Sequence, residues 1–390
     1  MSGDPTQKHE AQEVDGLPGG RVIGRYGEPD GPLLIVVAGL HGNEPAGVEA
    51  CRRLFERLGS ERSAMQGRAV AFIGNLTALE REERFVDRDL NRMWSTEDLA
   101  VLGGDSSHHT VEQREQRELI ASMESELDNG RHPVIVIDLH STSAFGAPFC
   151  IISDTLQNRR IAFPWSVPVI LGLEEAIHGT IQEYFGARGY ITAAVEGGQH
   201  RDPETADRLE SVLWITLVTA GFLRESDVPG LSAHRDCLRR VSRGLPSVVE
   251  VFYRHGLVAN NGFEMQPGFR NFSTVRRGQR VARDGDGDIV ARANGLLILP
   301  NYQKSGNDGF FLGRRVPRFW LQLSTLVRKA RMDRLLTLLP GVQRQPSAHG
   351  DVVVKAGGRL APRILHLMGY QKRASDGRNR VYRRRPEGPA

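Results

Sequence analysis

Three cysteines in 390 residues, Cys51, Cys150 and Cys237, are odd in number and have no ligand-like spacing. They exclude a disulfide-built scaffold and read as buried, inert thiols in a reducing compartment, so the expected location is cytoplasmic. No stretch approaches the ~20 apolar residues that cross a bilayer, and no membrane partner is expected. The opening segment, Met-Ser-Gly-Asp-Pro-Thr-Gln-Lys-His-Glu, lacks the apolar region of a secretory leader, and residues 1–20 read as a disordered tail. There is no internal repeat and no nucleic-acid-binding motif. The net charge of +4 is small, with much of the excess in residues 371–385, where seven basic residues face one acidic. That run lacks interleaved aromatics and reads as a solvated basic tail rather than a nucleic-acid surface.

The chain does have enough apolar residues, 39%, for a large core and two domains. Residues 32–39 form an uncharged strand followed by a helix near 46–59, and a second strand runs near 68–75. Thr110 is placed to cap a charged helix that ends around Asn129 and Gly130. A strand ending at His140, short strands at Phe149–Ile152 and Val167–Ile170, a helix near 175–187 and a strand from Tyr190 to Glu196 follow. This alternation predicts an α/β sheet with helices on both faces over residues 21–240. From 245 to 330 short alternating segments between glycine-rich turns predict a smaller β domain, and residues 331–390 read as a basic extension. Asp284-Gly-Asp-Gly-Asp288 lacks the distal glutamate of a calcium loop and reads as a hairpin turn.

The chemistry concentrates at strand ends. His41 and Glu44 stand three residues apart where the first buried strand stops, and His140 ends another. Ligands collect beyond the ends of such strands. Two imidazoles and one carboxylate leave a fourth position open, the ligand set of a catalytic zinc site with one Zn2+ per chain. Cobalt, nickel or iron would also accept these ligands. Three further clusters accompany them. Arg84-Phe-Val-Asp-Arg-Asp-Leu-Asn91-Arg92 is dense in groups that capture carboxylates or polarise carbonyls. Glu196, at a strand end before two glycines, is placed as a proton acceptor for water. Asn301-Tyr302-Gln303-Lys304 opens a loop from which Tyr302 would reach over the site.

These motifs, His41-Gly-Asn-Glu44, Arg84 to Arg92, Asp138-Leu-His140-Ser-Thr and Val195-Glu196-Gly-Gly-Gln, resemble those of the succinylglutamate desuccinylase/aspartoacylase family, related to the zinc carboxypeptidases. The resemblance spans roughly residues 30 to 310. It implies a zinc carboxypeptidase-like mixed sheet with helices on both faces and a smaller C-terminal β domain. It also implies zinc on His41, Glu44 and His140, with Glu196 as general base and acid. Arg84 would polarise the scissile carbonyl, while Asn91, Arg92 and Tyr302 contact substrate. Asp138 is placed to orient the ligands. Aspartoacylases have a further carboxylate-binding arginine upstream of the catalytic glutamate, for which Arg188 is the nearest candidate.

The implied reaction is zinc-dependent hydrolysis of the amide of a small acidic N-acyl amino acid. A zinc carboxypeptidase acting on peptides or cell-wall fragments would share the metal site, but the β domain should narrow the cleft against it. A non-catalytic metal-binding protein is the third reading, and association into a homo-oligomer stays open.

Overall fold

The computed structural model describes residues 20–61, 64–104, 108–127, 132–258, 261–303, 305–332, 334, 336, 341–345, 351–355, 361–375 and 379–386. The expected tail at residues 1–19, the helix end at Asn129 and Gly130, and Lys304 lie outside them.

The strands in chain order are β1 (Val22–Gly27), β2 (Leu33–Ala38), β3 (Arg68–Ile73), β4 (Val134–Thr142), β5 (Phe149–Ile151), β6 (Val169–Leu171), β7 (Ile191–Gln199), β8 (Val248–Gly256), β9 (Glu264–Met265), β10 (Thr274–Val275), β11 (Arg280–Asp284), β12 (Gly287–Val290), β13 (Gly295–Ile298), β14 (Asp308–Arg315), β15 (Val342–Arg344), β16 (Val352–Lys355), β17 (Tyr370–Ser375) and β18 (Asn379–Arg384). The helices are α1 (Ala46–Glu61), α2 (Leu76–Glu80), α3 (Thr96–Leu102), α4 (Val111–Ser125), α5 (Leu156–Ala162), α6 (Ile181–Ala187), α7 (Glu204–Thr219), α8 (Leu231–Val241), α9 (Arg318–Lys329) and α10 (Ala361–Leu367). None of them is long and apolar enough to cross a membrane. Thr110 caps α4 as expected, in a reciprocal pair with Gln113.

Eleven strands form one mixed sheet in the order β1-β3-β2-β4-β7-β5-β6-β8-β14-β13-β10. Its centre, β3-β2-β4-β7, is parallel. The residues of β2 and β4 are all buried because helices cover both faces. Alternate side chains sort into two cores. Leu34, Val36, Ile135, Ile137 and Leu139 face one cluster with α1 and α7. Ile35, Val37, Val134 and Val136 face the other, with Leu119 of α4 and Phe185 of α6. The second face carries the site. Cys51 and Cys150 are free and buried, and Cys237 is free and half-buried.

The β-rich region after residue 245 is continuous with this sheet through β8, which pairs in parallel with β6, and then β14, β13 and β10. Among the described residues of this region, β9, β11 and β12 form a separate three-stranded sheet, whose β11-β12 hairpin turns at Asp284–Gly287.

The basic carboxyl-terminal run is not a solvated tail. Strands β15 to β18 make a four-stranded sheet with its own cluster, including Val327, Val352, Leu365, Tyr370 and Tyr382. Arg383 forms a two-pronged pair with Asp351 at 2.8 and 2.9 Å. Arg385 is buried against Glu174 (2.9 Å) and Glu175 (3.2 Å). These cations have partners far away in sequence, which a local charge count does not reveal.

Candidate metal centre and active site

His140 lies near the end of β4, and the register pairs it directly with Glu196 on β7. Directly opposed residues share a face, so the imidazole and the carboxylate project together toward α6. His41 follows β2 after the turn at Gly39 and Leu40, and Glu44 comes one turn later, just ahead of α1. Gly42 between them is required by space: a Cβ there would sit 2.0 Å from the Ala78 carbonyl of α2.

The three residues offer one donor atom each within 4.8 Å of one another and could hold a metal ion. His41 Nδ1 faces Glu44 Oε1 at 2.9 Å, and His140 Nδ1 faces Glu44 Oε2 at 3.1 Å. The outer ring nitrogens are both taken by carboxylates: His41 Nε2 by Asp89 at 3.1 Å, His140 Nε2 by Asp138 at 2.6 Å. When both rings are neutral and carry their hydrogens on Nε2, those carboxylates are satisfied and two Nδ1 lone pairs point at carboxylate oxygens. Acceptor against acceptor is an arrangement that a cation resolves, and a carboxylate behind each imidazole is how metal-binding histidines are oriented. The donor set therefore fits a divalent metal. Burial opposes ionisation of Glu44, yet His41 and His140 hold its carboxyl well below the usual range. A proton can relieve the same clash in place of a cation: Asp138 and Glu44 overcome burial to raise His140 well above the ordinary imidazole value.

Glu196 is 8% exposed, and its Oε2 has no hydrogen-bond partner among the described residues. Burial pushes its carboxyl up to about 8; Glu44 and Asp138 add to this, while His140 and Arg84 oppose it. Such a group exchanges protons near neutral pH. Arg84 reaches across the centre, with Nη2 3.0 Å from Asp89 and Nη1 3.5 Å from Glu44. Asn91 sits in a 3₁₀ turn, where its Oδ1 accepts from the Ile181 amide at 3.0 Å and its Nδ2 lies 3.4 Å from Asp138. It thereby ties the metal centre to the start of α6. Arg92 bonds Asp308 at 3.0 Å, while its buried Nε has no partner among the described residues.

These residues line one cavity of about 190 Å³. Two expected residues stay out of it. The Tyr302 hydroxyl donates toward Gln266 and Phe269 carbonyls and accepts from the Phe269 amide, so the ring packs into the small β cluster. Its neighbours Asn301 and Gln303 line the cavity instead. Arg188 caps the end of α6, pairs with Glu124 at 2.8 Å and stacks over Tyr184. Tyr302, expected to contact substrate, and Arg188, named only as the nearest candidate for a further arginine, are both engaged by these other partners.

The sequence reading assigned no role to Asp89, His200, Gln303 or Asp308. Ser141 Oγ meets His200 Nδ1 at 2.7 Å, His200 Nε2 meets Gln303 at 3.2 Å, and Asn43 donates to the same Gln303 oxygen at 3.1 Å. This chain joins the ligand loop to the ends of β4 and β7 and to the loop before β14. Asp89 stood inside the arginine-rich segment, but only its contact with His41 gives it meaning.

Fold and site together define a mixed α/β protein with a His-Glu-His group at the ends of parallel strands that could hold a metal ion. Residues 30–162 match the succinylglutamate desuccinylase/aspartoacylase catalytic domain, and the chain resembles that family in sequence and in fold. It is 39% identical over 66 residues to succinylglutamate desuccinylase of Pseudomonas paraeruginosa, covering 17% of this chain and 20% of that one. It is 35% identical over 112 residues to the N-acyl-aromatic-L-amino acid amidohydrolase (carboxylate-forming) of Xenopus tropicalis, covering 28% and 34%. The chain thus spans a fifth to a third of the length of these curated relatives. The succinylglutamate desuccinylase/aspartoacylase structure from Rhodobacter sphaeroides has the same fold, with a TM-score of 0.54 at 17% identity, covering 74% of this chain and 87% of that one. Murine aminoacylase 3 does also, at 0.52 and 16%, covering 74% and 97%.

Proposed function

We propose that the protein is a zinc-dependent deacylase that hydrolyses the amide of an N-acyl amino acid, anionic through its α-carboxylate. The observation that carries this reading is the paired arrangement at Glu44. Two imidazoles turn acceptor nitrogens toward one carboxylate, each is backed by another carboxylate, and Glu196 stands beside them with an unpartnered oxygen. His41, Glu44 and His140 would hold the ion. When bound, zinc supplies Lewis-acid polarisation and makes water acidic near neutral pH.

The protein's own groups do the rest. Glu196 Oε2 takes the proton from the attacking water and delivers it to the departing nitrogen. Ion pairs to Asp89 and Glu44 hold the Arg84 guanidinium at the centre, ready for negative charge developing on the scissile carbonyl oxygen. Arg92, with its spare Nε, receives the substrate carboxylate, and Asn91 fixes the wall against which that carboxylate rests. The cavity, bounded on one side by the loop carrying Asn301 and Gln303 and by Asp308 at the start of β14, favours a small substrate over a polypeptide.

The test is Glu196→Gln, with metal content, melting temperature and turnover of small acyl-amino acids measured on one preparation. The variant should keep about one zinc per chain and its fold, yet lose about 10²–10⁴ in rate. Turnover within a few-fold of wild type would place the base elsewhere and remove the mechanism.

A further inference from the structure

The cavity continues well beyond the metal centre. On β7, Glu196, Ala194 and Thr192 alternate along one face, and all three line it. Four residues of strand rise about 13 Å, so the cavity runs as a groove from the base toward the start of β7. Its opposite wall is α6, where Gln182 and Gly186 stand one turn apart. A Cβ on Gly186 would touch the Thr192 hydroxyl at 3.4 Å, so helix and strand approach closely here and the groove runs past this narrow point, which a larger residue at 186 would fill. Ala194 and Gly186, both small, keep it open.

The floor lies where β5 and β6 end, because β5 runs antiparallel to β7 and parallel to β6. Ser153 and Glu174 meet there with Gln371 from β17. Arg385 fixes one oxygen of Glu174 at 2.9 Å, while the other, Oε2, is buried without a hydrogen-bond partner among the described residues. The carboxyl-terminal sheet therefore both supplies part of the wall and positions an acceptor in it.

Among the described lining residues the only arginines or lysines are Arg84 and Arg92, and carboxylates already pair both. Arg188, the other candidate cation, is bound outside to Glu124. A second substrate carboxylate would meet hydroxyls, an amide and Glu174 in this lining, while the nearest cation, Arg385, lies behind Glu174 and is paired with Glu174 and Glu175. Asn91 and Arg92 adjoin the start of α6, so the half of the substrate they anchor is the one whose side chain enters alongside this helix.

Building on the deacylase reading, we infer that the groove selects N-acyl amino acids whose side chain is extended and ends in a hydrogen-bond donor, an ammonium or a carboxamide, rather than in a carboxylate. Ser153, Thr192, Glu174 and Gln371 receive that end, and Gly186 and Ala194 admit its stem.

The experiment uses the full-length, zinc-loaded protein and N-acetyl derivatives of glycine, aspartate, glutamate, glutamine and lysine. The values of kcat/KM for the lysine or glutamine derivative should exceed those for the aspartate and glutamate derivatives at least tenfold. The lysine and glutamine arms separate a cationic from a neutral donor. Gly186→Val, which fits the helix and puts its methyls into the groove, should collapse the ratio of long-arm to glycine substrate by tenfold or more. Preference for aspartate or glutamate, or an unchanged ratio in Gly186→Val of wild-type melting temperature and zinc content, would overturn the inference. If no derivative is cleaved, the deacylase reading fails by itself. Calorimetric binding of free lysine, glutamine and aspartate then reads the groove without turnover, and tighter aspartate overturns it.

Discussion

Replacing Asp154 with alanine should undo the attachment of the carboxyl-terminal sheet. The Asp154 carboxylate accepts from Arg159 at 2.5 and 2.8 Å and from Arg328 at 2.6 Å, and its carbonyl accepts from Arg328 at 2.6 Å. The Arg328 side chain is 1% exposed. Burial works against the Asp154 charge, but Arg328, Arg159 and Arg385 hold its carboxyl far below the usual range. Removing it strands buried guanidinium charge, which costs about 3–5 kcal/mol. With an unfolding entropy of about 2.1 cal/mol/K per residue, a chain of 390 residues has about 0.8 kcal/mol/K, so a 4 kcal/mol loss lowers Tm by about 5 °C if unfolding is cooperative. Urea unfolding of Asp154→Ala, Arg328→Met and the double variant would give a cycle in which the double change costs much less than the sum. The sign with pH is also set. A carboxyl depressed by folding stabilises fully above its unfolded pKa, about 3.9, and loses that contribution as pH falls through the lower folded value. The gap between wild type and Asp154→Asn should be constant from pH 5 to 8 and shrink below pH 4. A loss under 1 kcal/mol, additive single changes, or a gap indifferent to acid would refute the reasoning.

Two further outcomes follow. Arg92→Ala should chiefly raise KM and Arg84→Ala chiefly lower kcat, each by about 1.5–3 kcal/mol; matching effects on both constants would erase the division of roles. The Glu175 carboxyl is raised to about 7 by burial, with Glu174 and Glu250 adding to the rise and Arg385 opposing it, so ionising it costs stability as pH rises from about 4.5, and the cost saturates above 7. Glu175→Gln should therefore gain up to about 3 kcal/mol at pH 8 and nothing at pH 4, and a variant destabilised at pH 8 would show that its pair with Arg385 dominates.

How much of this was legible depended on where each residue's partner lies. A strand buried on both faces spells itself as an apolar run, so the strands bearing His41, His140 and Glu196 could be read directly. Once they are parallel neighbours, register alone brings His140 beside Glu196. Bringing His41, Glu44 and His140 together needed only local spacing plus that topology. Tyr302 stands outside the cavity because extended neighbours point opposite ways: Asn301 and Gln303 line it, and the tyrosine takes three backbone partners behind it. Arg188 is close in sequence to Glu196, yet the end of α6 and the turn before β7 intervene and leave it facing Glu124. The basic run misled for a related reason. Its neutralising groups, Glu174, Glu175 and Asp351, are supplied by other elements, and no local composition distinguishes a solvated arginine from a buried one with a distant carboxylate. Asp89 and Asp138 make the same point inside the site. An aspartate ahead of a 3₁₀ turn reads as a cap, and Asp89 is one, but the same carboxylate also sets the orientation of His41. Sequence periodicity discloses which face a residue takes; it does not disclose which charge that face will meet, and here those meetings govern both the metal centre and the far wall of its cavity.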